Sequence, residues 1–121
     1  MLVCCDIDGT ASAAPNEILA ILTALRASSN HVTMLTGVSD AVVTQADFDE
    51  KVAFLTSLGL GECWDDMTVL ANHPGVNLAD EKAKFCVDNG CDVLIDNAKA
   101  NARAASAAGI PLCLVPWASR V

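Results

Sequence analysis

Two aspartates one residue apart and followed by glycine, Asp6-Ile7-Asp8-Gly9-Thr10, stand directly behind an apolar N-terminal run. If that run is a strand, alternation points Asp6 and Asp8 to the same side. Two carboxylates that close repel each other unless a cation lies between them. A hard divalent ion satisfies both and leaves positions open for phosphate oxygens. Gly9 then lets the backbone leave the strand sharply. Without the strand before it, the same pentapeptide reads sooner as a surface turn of the Asp-x-Asp-Gly kind.

Three further positions could join this chemistry. Thr36-Gly37 closes the run Val32-Thr33-Met34-Leu35, where a hydroxyl and a backbone N–H can donate to a phosphoryl oxygen; the other reading is a turn with Ser39 capping a helix. Lys82 lies in a helical stretch, where a lysine is ordinarily solvated. Asp96-Asn97 follows Val93-Leu94-Ile95 and either supplies oxygen ligands or caps a helix beginning at Ala98.

The elements that must position these residues are five short runs rich in Val, Ile, Leu, Met and Cys: Leu2 to Ile7, Val32 to Leu35, Met67 to Ala71, Asp92 to Ile95 and Leu112 to Val115. Helical patterns separate them, and such alternation implies a parallel sheet covered on both faces. Pro15 suits a first helical turn ahead of Ile18, Leu22 and Leu25. Asp47 with Glu50 resembles a capping box before Phe48, Val52, Leu55 and a stop at Gly59. The stretch Asp80 to Asn89 stops at Gly90, and Ala98 to Ala108 stops at Gly109. Val38 to Asp66 reads as two helices. Ligands of an open parallel sheet bind beyond the carboxyl ends of its strands, and the polar residues above gather at that rim.

Composition bounds the rest. The 121 residues are one domain's worth, 1–121, and 53% apolar with 18% charged is the balance of a packed core. A formal charge of -8 argues against nucleic acid as an extended partner. No apolar run reaches membrane-spanning length and no basic region precedes one, so neither a membrane partner nor a targeting segment is expected. Cys4, Cys5, Cys86 and Cys113 fall within apolar segments and no CxxC pair exists. They read as reduced core residues of a cytoplasmic protein, and a zinc site is not expected because ligand spacing is absent and both histidines stand alone.

In their order along the whole chain, these signals resemble the four motifs of the haloacid dehalogenase superfamily. Asp6-Ile-Asp-Gly-Thr matches the first motif. Val93-Leu-Ile-Asp-Asn-Ala-Lys-Ala-Asn101 looks like the family's Asp-Asp-x-x-x-Asn form with Asn97 replacing the second Asp, and Lys82 stands before Asp96 at the spacing of short-armed members, with Lys84 the lesser claimant. The resemblance implies a three-layer α/β Rossmann-like fold with a five-stranded parallel sheet in the order 5-4-1-2-3. It implies no cap domain, because neither Ala11 to Ala14 nor Asn72 to Lys82 has room for one.

The same resemblance implies a magnesium-dependent phosphohydrolase. Asp6 would attack phosphorus and become an aspartyl phosphate, while Asp8 protonates the leaving oxygen and then activates water. Magnesium would bind the Asp6 carboxylate, the Asp8 backbone carbonyl and the Asn97 side chain, with Asp96 behind it as an acceptor. Thr36 and the N–H groups of Ile7 and Gly37 would hold phosphoryl oxygens, and Lys82 would offset the charge on Asp6 and the phosphate. Asn97 is a weaker ligand than a carboxylate, although the small-carboxy-terminal-domain phosphatase branch resembles this chain in carrying Asp-Asn. An open rim implies a large phosphorylated substrate, or a neighbouring subunit of a homo-oligomer that covers it. The alternative is a protein of the same fold that binds phosphate or a partner with little or no turnover. A receiver-type phosphoacceptor does not fit, since the third run ends Leu70-Ala71-Asn72 without the required aspartate.

Overall fold

A computed structural model describes residues 1–72, 74–75 and 77–116. The strands are β1 (Leu2–Cys5), β2 (His31–Val38), β3 (Asp66–Ala71), β4 (Val93–Ile95) and β5 (Leu112–Leu114), and the helices between them are α1 (Pro15–Ala27), α2 (Gln45–Ser57), α3 (Leu78–Asp88) and α4 (Lys99–Ala107). All strands run parallel in the order β3-β2-β1-β4-β5, the expected order read from the other edge.

The alternation of side chains along the central strands sorts two cores. Val3 and Cys5 of β1, Met34 of β2 and Ile95 of β4 pack with Ile18 and Leu22 of α1 and Leu55 of α2. Cys4, Leu35 and Leu94 face the other way, onto Cys86 of α3 and Ala105 of α4. Both faces of β1 are therefore covered, which is why its sequence is a continuous apolar run rather than an alternating one. Each fully buried Ile or Leu in these layers contributes roughly 1.5–3 kcal/mol relative to an exposed one.

Several local expectations are corrected. β1 ends at Cys5, two residues short of Ile7, because Gly9 adopts a positive φ of 77° and the chain folds into a wide turn in which Ser12 N donates to the Ile7 carbonyl at 3.0 Å. β2 runs on past Thr36 to Val38 and pairs with β3 along its whole polar end, so Ser39 caps no helix there. The capping box of α2 belongs to Thr44 and Asp47, with Thr44 N donating to Asp47 Oδ2 at 2.9 Å; Asp47 is the third helical residue, not the cap. Val38 to Asp66 holds one helix rather than two. The remainder is a loop pinned by buried Leu60 and Cys63, with Trp64 Nε1 donating to the Leu60 carbonyl at 2.7 Å. α3 starts at Leu78 under an Asn77 cap, earlier than Asp80. Among the described residues no helix is long and apolar enough to cross a membrane.

Candidate active site

Sequence order along the sheet reverses between β1 and β4, the place where open α/β sheets leave a crevice beyond the carboxyl ends of the strands. Asp6 and Asp96 are the next residues beyond those two ends. Both continue the ladder: Asp6 N donates to the Ile95 carbonyl at 2.9 Å and Asp96 N to the Leu114 carbonyl at 3.0 Å. The backbone that makes the sheet thus fixes two carboxylates side by side.

Lys82 reaches them from α3, whose inward residues Ala79, Lys82, Ala83 and Cys86 repeat at helical spacing. Its Nζ donates to Asp6 Oδ1 at 2.7 Å and to Asp96 Oδ2 at 2.9 Å, and the three side chains are 2%, 9% and 0% exposed. The remaining oxygens are also engaged. Thr10 Oγ1 donates to Asp6 Oδ2 at 2.9 Å and itself accepts from Asn97 N at 2.8 Å, while Asp96 accepts from Ala98 N and Asn101 Nδ2, each at 2.9 Å. Burial pushes the Asp6 carboxyl up from its ordinary value, against the opposing pull of Lys82 and with a further push from Asp96. Burial alone would lower Lys82, but Asp6 and Asp96 together hold its ammonium above the ordinary lysine range, so Lys82 stays cationic.

Asp8 stands apart from this buried group. Its side chain is 59% exposed, Lys51 of α2 donates to Oδ2 at 2.6 Å, and Thr36 Oγ1 lies 3.5 Å from the same oxygen. The two aspartates of the first motif therefore have separate cationic partners rather than one ion shared from a common strand face. Beside Asp8 a cavity of about 250 Å³ is lined with Glu50, Lys51 and Phe54 of α2. Gly37 sits within β2 opposite Leu70, and a Cβ added there would come within 2.7 Å of Leu78, so close packing of α3 explains this glycine. Ile7 is fully buried in the core.

The expectation of a hard cation has a testable counterpart here. Asn97 Oδ1 is a buried oxygen without a hydrogen-bond partner among the described residues, the kind of orphan that a ligand satisfies. The buried group also holds two carboxylates against one ammonium, an excess of negative charge in a place cut off from water. Asp6, the Asp8 carbonyl and Asn97 are all hard oxygen donors, so the residues fit magnesium by type.

Sequence reasoning picked Lys82 out from a helix by its spacing before Asp96, and the two are bonded. It assigned no role to Thr10, Asn101 or Lys51. Thr10 and Asn101 lie four and five residues from the aspartates that they hold, a signal legible in hindsight. Lys51 is 43 residues from Asp8 and carries no local signal.

Comparison with known proteins bears on the family. No family model matches the chain, and no curated protein matches it. Among solved structures it is similar to a protein from the universal stress protein family from Burkholderia pseudomallei, at 14% identity and a TM-score of 0.55, over 96% of each chain. That finding overturns the resemblance to the haloacid dehalogenase superfamily, together with the labels hydrolase and phosphatase that were carried over from it. At such identity the likeness establishes the fold alone, a Rossmann-like α/β sheet of five parallel strands. The physical reason for the misreading is general: any sheet of this kind gathers the polar residues that follow its strands at one rim, so their order along the chain is not specific to one family.

Proposed function

We propose, on the chemistry of the rim and without a family to support it, that the protein hydrolyses phosphomonoesters with magnesium through an aspartyl phosphate on Asp6. The observation that carries this reading is the Lys82 bridge between Asp6 and Asp96 beside the orphaned Asn97 oxygen. A buried carboxylate pair with one cation is short of positive charge, and a phosphate would need more of it. Magnesium held by Asp6, the Asp8 carbonyl and Asn97 would supply that charge.

In the first step an Asp6 oxygen forms a bond to phosphorus as the ester oxygen leaves, and Asp8 gives that oxygen its proton. In the second, water attacks phosphorus, Asp8 takes a proton from it, and the Asp6–phosphorus bond breaks to release inorganic phosphate. Lys82 and Thr10 orient the two Asp6 oxygens throughout, and the Thr36 hydroxyl, now 3.5 Å from Asp8 Oδ2, would turn to donate to a phosphoryl oxygen. The cavity beside Asp8 would take the group that the phosphate leaves behind, with Phe54 as its apolar wall and Lys51 as its cation.

A second reading is supported by Asp8. Its contact with Lys51 draws the proposed acid and base outward, which suits a site that binds a phosphorylated partner without turning it over. Magnesium-dependent release of phosphate from an aryl phosphate separates the two. Release that disappears in Asp6→Asn supports hydrolysis, and tight phosphate binding without release supports the second reading.

The proposal extends to setting and assembly. Six free thiols suit a reducing, cytoplasmic location. Leu112 and Leu114, 48% and 41% exposed on the edge strand β5, would be covered in a homo-oligomer.

A further inference from the structure

Away from the carboxylate rim, Cys4, Cys86 and Cys91 bring their sulfur atoms within 4.8 Å of one another. They are 0%, 0% and 4% exposed. The fold makes this meeting in two moves. α3 ends in a turn where Gly90, at a φ of 69°, donates N–H to the Val87 carbonyl at 3.3 Å and Cys91 N donates to the Cys86 carbonyl at 2.8 Å. This paired closure stacks the second residue past the cap onto the third residue from the helix end, here Cys91 onto Cys86. Cys4 comes from β1, in register with Leu94 and facing the same α3–α4 layer. A cavity of about 270 Å³ reaches the pair from the amino-terminal side of the sheet, lined by Cys86, Gly90, Cys91, Asp92, Gly109 and Ile110 among others.

We propose that Cys4, Cys86 and Cys91 form a binding site for one thiophilic d10 cation, Cu(I) or Zn(II), held by three thiolates. Thiolates select these ions over hard ones. Two sulfurs on one tetrahedral ion at a metal–sulfur distance of about 2.3 Å lie about 3.8 Å apart, so closure of the cluster by about an ångström or less forms the site. Among the described residues Cys113 packs on the same core but is not one of the three sulfurs that meet, and Asp92, the carboxylate on the cavity wall, already accepts from Leu2 N at 2.9 Å. Cu(I) is satisfied by three sulfurs, whereas zinc would complete its shell with water from the cavity. Hydrogen bonds from Cys4 and Cys86 pull the Cys91 thiol down to about 4, while Cys4 and Cys86 are both pushed up, Cys86 to about 12, so two of the three thiols hold their protons until an ion displaces them. Loading therefore releases to solvent the protons still held by the other two thiols, and binding strengthens as pH rises.

The test uses the whole reduced protein without oxygen. Cu(I) and Zn(II) are each titrated against a chromophoric chelator, with Mg(II) as the hard-ion control, and X-ray absorption of the loaded protein counts the sulfurs. The expected result is one ion per chain with three sulfur ligands, plus one oxygen for zinc and none for Cu(I). Cys4→Ser, Cys86→Ser and Cys91→Ser should each lower affinity by about 100-fold or more. Cys63→Ser, in the opposite core, should not change it. Absence of stoichiometric binding of both ions, affinity that survives all three substitutions, or fewer than three sulfurs on the wild-type protein overturns the proposal. The sulfur count needs no variant, so a substitution that fails to fold leaves the test intact.

Discussion

The inner and outer halves of the rim use the same residue types in opposite ways. In the inner half Lys82, Asp6 and Asp96 are buried, every carboxylate oxygen has a donor, and the elements involved are two central strands and a helix. In the outer half Asp8 and Lys51 meet across a turn and a surface helix, with Asp8 largely in water. A buried pair is held by its own desolvation, because either charge left alone would be uncompensated, while an exposed pair is screened and exchanges its partners readily. The inner half is therefore suited to holding a nucleophile still. The outer half can let Asp8 swing between Lys51 and a substrate.

Removing the lysine from each half should break the symmetry of the two pairs. Lys82→Met strips the cation from two buried carboxylates and should cost about 3–5 kcal/mol of stability in denaturant unfolding. Lys51→Met should cost no more than about 1 kcal/mol. Equal losses would mean that burial does not distinguish the halves. In turnover the outer half shows itself through Asp8→Asn, expected to lower kcat by about 10²–10⁴-fold as a lost acid and base does while leaving the unfolding midpoint near wild type. Little loss of rate would mean that Asp8 is neither the acid nor the base of the reaction.

The contrast also explains which parts of the molecule were legible in the sequence. The five runs, as elements if not in every boundary, and the Gly90 and Gly109 stops rest on periodicity and short-range signals and agree with the structure, whereas Lys82 was singled out by the spacing of a family that the comparison overturns. The Thr44 cap was missed because Asp47 and Glu50 imitate a capping box three residues later. The loop from Leu58 onward was missed because Leu60, Cys63 and Trp64 give it an apolar look that belongs to packing, not to a helix. The Asp8–Lys51 contact and the three-cysteine cluster depend on tertiary placement, although Cys86 and Cys91 flank a helix stop and so carried half of their signal locally. The family was misjudged since strand-end polar residues follow from the architecture itself.

A pH profile sharpens the inner half further. Followed by carboxyl NMR in the metal-free protein, the ionisation limb of Asp6 should lie above the ordinary aspartate range, where burial holds it. Lys82 pulls in the other direction, so Lys82→Met should move the limb to still higher pH. A limb at the usual carboxylate position, or one indifferent to Lys82, would contradict the buried-carboxylate account. The smallest expected effect is at the margin between the halves. Asn97→Asp should keep or tighten magnesium binding by adding charge, and Asn97→Ala should weaken it with little change in stability; a magnesium titration in which Asn97→Ala equals wild type makes Asn97 only a loop residue.

The central claim is that phosphorus becomes bonded to Asp6, and trapping that bond tests it most directly. Protein mixed with an aryl phosphate and magnesium is quenched in acid within the first turnover, and the peptide carrying Asp6 is examined by mass spectrometry. The account predicts one phosphoryl group on Asp6, lost on treatment with hydroxylamine, absent in Asp6→Asn and accumulating in Asp8→Asn, where the second step lacks its base. Turnover of the ester without a phosphoryl group on Asp6, or with one on another residue, would contradict it.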